Sequence, residues 1–324
     1  MKKMLKEIAI MTFMIGVFVL VGCERSEPFI EKSIEESKEE SKEESIEEEF
    51  IEKFTEGLWL KMGDNTIVAT DDIDFYDMSM HMIYLKKKLP YLEKVGFDSG
   101  IMTVNVGKEE IYQCPFHSSY SSMHPQGVYI SSPPFNKEDI IRINFMQVFD
   151  INHNPTVTDP RNDERIIATL KKYQQYHEGL HLELKSFNYS NGRLVFNIEL
   201  YNSDTFDYYC LDPDKMGIGL FHYFTNGPSF YDFTNYKSYT HQETVTHPEP
   251  WNLWKKEWLT LIQSGERKNI SITYNHFDTM PIGNYRMVFE FPGLNYGISQ
   301  KDLILKDGRV WMGSVNIEQD VIIQ

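Results

Sequence analysis

Two runs of alternating apolar residues constrain the fold more than any other feature of this chain. They stand on either side of Asn191-Gly192, and they comprise Leu180, Leu182, Leu184 and Phe187, and then Leu194, Phe196, Ile198 and Leu200. Alternation with a period of two places one face of a strand against a core, and Asn-Gly is the strongest short signal for a two-residue hairpin turn. The pattern predicts an antiparallel hairpin that begins directly after Gly179.

Further short apolar segments follow this hairpin at the spacing of strands. They are residues 218–224, 270–274 and 285–291, and the tail 297–324 offers two more around Lys306-Asp307-Gly308. Short strands separated by turns are typical of an antiparallel sandwich. Residues 179–324 are therefore predicted to form an all-β domain.

Two phrases near the end of this region sharpen the prediction. Leu261-Ile262-Gln263-Ser264-Gly265-Glu266 precedes one strand, and Met280-Pro281-Ile282-Gly283-Asn284-Tyr285-Arg286 opens the next. Together they resemble the end of the bacterial immunoglobulin-like domains found in extracytoplasmic lipoproteins. The resemblance covers residues 180–291 and implies an immunoglobulin-like sandwich. It also implies that Tyr285 acts as a tyrosine corner, which ties a crossover loop to the sheet.

The region 57–178 carries a different pattern. Strands are predicted at 101–106, 110–113, 127–131 and 140–149. A helix is predicted at about 160–178, because Asp159-Pro160 suits an N-cap followed by the first helical residue and Gly179 suits a stop. The apolar segment 78–94 is ambiguous, since Pro90 disfavours one continuous helix. The fold class predicted for the chain is thus an α+β N-terminal domain followed by an all-β immunoglobulin-like sandwich.

The first 23 residues have the parts of a secretory signal. Lysines at positions 2, 3 and 6 precede an apolar run of 14 residues, 8–21, which is shorter than the roughly 20 residues that a membrane-spanning helix needs. Leu20-Val21-Gly22-Cys23 resembles the lipobox of bacterial lipoproteins. The resemblance implies cleavage after residue 22 and attachment of a lipid, such as one carrying palmitate, to Cys23. The alternatives are an ordinary signal peptide or a signal anchor with an incidental cysteine.

An acidic segment follows the cysteine. Residues 24–56 contain 14 Glu against five basic residues, a local net charge of −9. Such a segment has little to bury and repels itself, so 23–56 is predicted to be a solvated tether, with cation binding as the alternative. The whole chain carries −16 and has no basic stripe, which argues against a nucleic-acid partner.

One motif supports an enzyme hypothesis. His177-Glu178-Gly179-Leu180-His181 spells H-E-x-x-H, the zinc-binding signature of a class of hydrolases. Its chemistry needs both histidines one helical turn apart as zinc ligands, with Glu178 polarising a zinc-bound water. Here the motif falls where the predicted helix ends, with glycine at its centre. The other interpretation, a helix end with His177 near its negative pole, suits the same residues.

Two cysteines remain after Cys23. Cys114 and Cys210 could form a disulfide outside the cytoplasm, or they could be free buried thiols, and spacing does not decide between the two.

These patterns together predict a function for the chain. It is expected to be a non-catalytic binding or interaction protein of the cell envelope, without a cofactor. Its lipid is expected to anchor it to the cell membrane or outer membrane on the extracytoplasmic side. Its expected partner is an envelope or extracellular protein or glycan. The alternative is a zinc-dependent hydrolase that uses His177, Glu178 and His181.

Overall fold

The computed structural model describes residues 57–63, 65–89, 100–118, 120–132, 139–148, 155–294 and 299–324. Strands hold 49% of the structure and helices 13%, so the fold is mostly β, with several sheets, and is consistent with a β-sandwich. The predicted signal peptide, Cys23 and the predicted tether lie outside the described residues. Within the described ranges, no helix is both long and apolar enough to span a membrane.

The N-terminal half is built mainly of strands. They are β1 Leu58–Met62, β2 Asn65–Val68, β3 Ile73–Asp77, β4 Met82–Leu85, β5 Ile101–Val106, β6 Glu109–Ser118, β7 Gly127–Ser132, β8 Ile140–Arg142, β9 Asn144–Met146 and β10 Tyr176–His177. The helix α1 is Glu164–Lys172, and short 3-10 turns lie at Thr70–Asp72 and Pro160–Asn162. One sheet has the order β2-β1-β5-β6-β7-β9 and a second has the order β10-β3-β4-β8. The pairs β6–β7 and β10–β3 are parallel.

The described residues of the C-terminal half form three sheets. Its strands are β11 Leu180–Ser190, β12 Arg193–Asn202, β13 Tyr208–Leu211, β14 Ser229–Asp232, β15 Lys237–Tyr239, β16 Leu259–Ile262, β17 Arg267–Tyr274, β18 Gly283–Phe291, β19 Ile304–Leu305, β20 Gly308–Val310 and β21 Val315–Ile323. Short helices are α2 Pro213–Met216, α3 Ile218–Phe221 and α4 Gln300–Leu303, with a 3-10 turn at Lys256–Trp258. The strand predicted at 218–224 is therefore wrong, because a short apolar run does not by itself distinguish a strand from a helix. The sheet orders are β11-β12-β17, β16-β13-β20-β19 and β15-β14-β18-β21.

The predicted hairpin is confirmed. β11 and β12 pair antiparallel as far as Ser190 and Arg193, which leaves a two-residue turn between them. Asn191 and Gly192 both have positive φ, 50° and 76°. Two positive φ values are what a type I′ turn requires, and they explain why Asn-Gly occupies this position.

The sheet β10-β3-β4-β8 separates two hydrophobic cores. In β4, Met82 and Tyr84 belong to the core of the C-terminal half, whereas Ile83 and Leu85 belong to the core of the N-terminal half. All four residues are buried. A strand buried on both faces has no polar side, which is why its segment looked ambiguous in the sequence. Because both halves pack on one sheet, the described residues lie in a single compact unit.

The helix predicted at about 160–178 is shorter than expected. Asp159 caps the 3-10 turn at Pro160–Asn162, and Asp163 then caps α1, which ends at Lys172. Gln174 has a left-handed φ of 57°, which stops the helix before the predicted glycine. Residues 176–177 pair instead with β3, so the boundary predicted between residues 178 and 179 falls between two strands.

The strands predicted in the N-terminal half are found with adjusted bounds. The prediction at 101–106 matches β5, and those at 110–113 and 127–131 fall within β6 and β7. The strand predicted at 140–149 is interrupted at Ile143, which separates β8 from β9. The backbone N–H of Ile143 donates to the carbonyl of His81, so this residue leaves the ladder of both strands.

Tyr285 makes the hydrogen bond expected of a tyrosine corner. Its hydroxyl donates to the carbonyl of Pro281 at 2.7 Å. We expect Tyr285→Phe to lower the free energy of unfolding by about 1 kcal/mol, the net value of one such bond. The check is urea unfolding with an unchanged m-value. Tyr231→Phe on the neighbouring β14 is the matched control, since that hydroxyl bonds no other described residue, and equal losses in both variants would contradict the corner.

Candidate functional site

The H-E-x-x-H segment is not one helix. His177 ends β10, and His181 lies in β11. Gly179 between them has a φ of 77°, and an added Cβ there would lie 3.1 Å from Asp77 Oδ1 and from Ser79 Oγ. The two histidines therefore do not share the helix face that the zinc motif needs.

His177 is held by a buried carboxylate. Its Nδ1 lies 2.6 Å from Oδ1 of Asp204, and the ring of Phe206 stacks on the imidazole with centroids 3.8 Å apart. Asp204 also accepts hydrogen bonds from the backbone N–H of Gly179 at 3.0 Å and from the hydroxyl of Tyr208 at 2.9 Å. Burial favours the neutral acid, but these bonds outweigh it and lower the pKa of Asp204. The pair ties β10 to the loop after β12.

A buried arginine and a second aspartate lie close to this pair. The guanidinium of Arg309 sits 4.0 Å from the ring centroid of Phe75 and 5.1 Å from that of Phe206. Asp77 accepts hydrogen bonds from the backbone and hydroxyl of Ser79, at 2.9 and 2.6 Å. Burial nevertheless raises the pKa of Asp77 to about 6. We call His177, Asp204, Tyr208, Asp77 and Arg309 the junction cluster, because its members come from both halves.

The remaining residues of the motif are at the surface. Nε2 of His181 and Oε2 of Glu178 are 3.7 Å apart, and both side chains are about half exposed. Glu178 also accepts a hydrogen bond from the hydroxyl of Ser203 at 3.1 Å. A carboxylate on Nδ1 is common for a zinc-binding histidine. Within the described ranges, however, no three histidine, cysteine or acidic side chains are grouped so that they could hold a metal ion.

The two remaining cysteines are free and buried. Cys114 belongs to the core of the N-terminal half and Cys210 to the core of the C-terminal half. Burial raises the pKa of each thiol to about 12. Of the two alternatives that the sequence left open, the structure has the free thiols and not the disulfide.

A polar cleft opens between the two halves and was not predicted. It has a volume of about 420 Å³. One side is formed by the end of β4 and the residues after it, and the other by α4 and β19. The lining residues are Asp74, Leu85, Lys86, Lys87, Lys88, Asp139, Ser299, Gln300, Lys301 and Ile304.

Asp139 joins the two sides of this cleft. Its Oδ2 accepts hydrogen bonds from the hydroxyl of Ser299 at 2.6 Å and from the backbone N–H of Gln300 at 3.0 Å. Its backbone carbonyl accepts from the N–H of Leu85 at 2.9 Å. The side-chain amide of Gln300 also donates to the carboxylate of Asp74. These bonds fix the start of α4 against β4 and β3.

The sequence held one signal for this cleft. Lys86-Lys87-Lys88 is a run of three lysines in a chain with a net charge of −16. It lay in the segment whose secondary structure was ambiguous, and nothing in the sequence connects it with Asp139 or Lys301. Only the packing of α4 against β4 brings these residues together.

Comparisons with models of known families, with curated proteins and with solved structures find no match for this chain.

Proposed function

We propose that the chain is a membrane-anchored lipoprotein of the cell envelope, and that its folded residues bind a ligand without catalysing a reaction. The observation that carries the proposal is Leu20-Val21-Gly22-Cys23 directly behind a short apolar run. The acidic segment 24–56 would act as a spacer, and a flexible coil of that length reaches about 30 Å from the membrane. The anchor would lie in the cell membrane or outer membrane, on its extracytoplasmic side.

We further propose that residues 179–324 form an immunoglobulin-like sandwich. The bond between Tyr285 and Pro281 supports this fold, as does the β11–β12 hairpin. An α+β character for residues 57–178 is supported by α1 and by the parallel strand pairs of that half. In such an arrangement the lipid would position the folded residues close to the membrane, where a partner protein or glycan is available.

The polar cleft supports binding as the role of the folded residues. It is concave, it carries several charged side chains, and its volume falls in the range of small-molecule sites. The hydrolase alternative would instead need His177 and His181 on one helix face. Because they stand on β10 and β11, no observation favours that alternative.

Lipid attachment can be tested with three matched cysteine variants. We expect Cys23→Ala to abolish incorporation of labelled palmitate and removal of the first 22 residues, because the acylated thiol directs both steps. Cys114→Ala and Cys210→Ala should retain label and processing, since both thiols are buried in the folded protein. Mass spectrometry of the N-terminus is the measurement. Label on the Cys23→Ala variant, or an unprocessed and unlabelled parent protein, would refute the anchor.

A further inference from the structure

The polar cleft combines positive charge with an unpaired buried acceptor. We propose that it binds a hydroxylated anion, namely a sugar or polyol that carries a phosphate or carboxylate. This assignment rests on the binding role proposed above and names its ligand class. The lysines would bind the anionic group, and Asp139 would accept a hydrogen bond from a hydroxyl group.

The charge of the cleft is opposite to that of the chain. Four lysines and two aspartates line it, whereas the whole chain carries −16. Lys86 donates to the carbonyl of Asp71 at 3.0 Å. Lys87 and Lys301 are exposed and form no ion pair with another described residue. A concave surface with an excess of one charge concentrates ligands of the opposite charge, so the cleft favours anions over cations.

The unpaired carboxylate oxygen of Asp139 is the second, independent observation that supports a ligand in the cleft. The residue is only 6% exposed, and it lines the cleft. Its Oδ2 is occupied by Ser299 and Gln300, but its Oδ1 is buried and has no hydrogen-bond partner. A buried acceptor without a donor costs roughly 1–3 kcal/mol, and a ligand hydroxyl would remove that cost.

These two features together narrow the ligand class. An anion without a hydroxyl group, such as sulfate, would use the lysines but leave Asp139 Oδ1 without a donor. A neutral polyol would satisfy Asp139 but gain nothing from Lys87 and Lys301. An apolar molecule would leave both the lysines and Asp139 Oδ1 without a partner. Only a molecule with both an anionic group and a hydroxyl group uses both features.

The test is calorimetric titration of the purified full-length chain in non-ionic detergent. The probes are sn-glycerol 3-phosphate, galacturonate, sulfate, glycerol and a polymer of glycerol phosphate. We expect at least one hydroxylated anion to bind at least about tenfold tighter than sulfate and glycerol. Tighter binding of the polymer than of its monomer would identify a surface polymer as the natural ligand. Equal binding of the two would identify a free metabolite as the natural ligand.

Variants assign the binding to this cleft. The double variant Lys87→Ala, Lys301→Ala should weaken binding of the hydroxylated anion about tenfold. The control Lys237→Ala, Lys255→Ala removes the same charge from exposed lysines elsewhere and should change affinity less than about twofold. Asp139→Asn can keep an acceptor towards Ser299 and Gln300 while presenting a donor to the cleft. It should therefore reduce the preference for the hydroxylated anion over sulfate.

Several results would overturn the ligand assignment. They are no binding of either hydroxylated anion, equal binding of sulfate, or an equal loss in the control and cleft double variants. None of these results bears on palmitate incorporation at Cys23. The lipid anchor and the ligand class can therefore fail separately.

Discussion

Asp204→Ala is expected to lower the free energy of unfolding by about 3–5 kcal/mol, because three buried hydrogen-bonding groups lose their acceptor at roughly 1–3 kcal/mol each. The carboxylate accepts hydrogen bonds from His177, from the backbone of Gly179 and from Tyr208. Alanine would leave these buried groups without their acceptor and would create a cavity between the two halves. Urea unfolding at neutral pH measures the loss.

Two comparisons separate this effect from a general loss of charge. Asp214→Ala removes an exposed carboxylate and should change stability by less than about 0.5 kcal/mol. His177→Ala combined with Asp204→Ala should cost clearly less than the two single losses added, since both remove one interaction. Additive losses would show that His177 and Asp204 act independently, contrary to the 2.6 Å contact.

His222→Phe is expected to make the protein less sensitive to acid. His222 is 5% exposed and stacks on His241, with ring centroids 3.7 Å apart. Burial, and then the neighbouring His241, lower the pKa of His222 to about 4. The unfolded chain therefore binds a proton at this site below about pH 6.5 while the folded chain does not, and stability falls as the pH falls from about 6.5 to 4.

Comparing the parent protein with His222→Phe separates the contribution of His222 to the pH dependence of stability from that of other buried groups. Asp77, whose pKa is raised to about 6, has the opposite slope, because its folded form holds a proton that the unfolded form has released. Between about pH 7.5 and pH 5, the parent protein should therefore lose about 1–2 kcal/mol more than the His222→Phe variant. Above about pH 7.5 the two stability curves should run parallel, since neutral His222 binds no proton in either state. Curves that also stay parallel down to pH 5 would exclude this role.

Local patterns predicted those parts of the fold that depend on near neighbours. The β11–β12 hairpin follows from alternation and from Asn191-Gly192, and β5 was predicted with its observed bounds. The prediction of a helix at about 160–178 was wrong at its C-terminal end, because Gln174 adopts a left-handed φ and residues 176–177 pair with β3. Helical periodicity carries no information about pairing with a strand about 100 positions away.

The candidate sites likewise depend on contacts between residues that are far apart in the sequence. The H-E-x-x-H motif identified His177 as a candidate site residue. The side chain that it bonds, Asp204, lies 27 residues further on and belongs to no motif. The polar cleft depends on the contact between Asp139 and Ser299, which are 160 residues apart. The run Lys86-Lys87-Lys88 was visible, but without Asp139 and Lys301 it did not describe a site.

The sequence by itself determined the hairpin and the mostly β character of the C-terminal half, because turn chemistry and side-chain alternation act within a few residues. Tertiary structure alone decided that the β10-β3-β4-β8 sheet is buried on both faces. It also decided that His177 forms a hydrogen bond with the carboxylate of Asp204. It also created the cleft between β4 and α4. These features arise where the two halves pack on one shared sheet, and a contact between distant segments leaves no period in either segment.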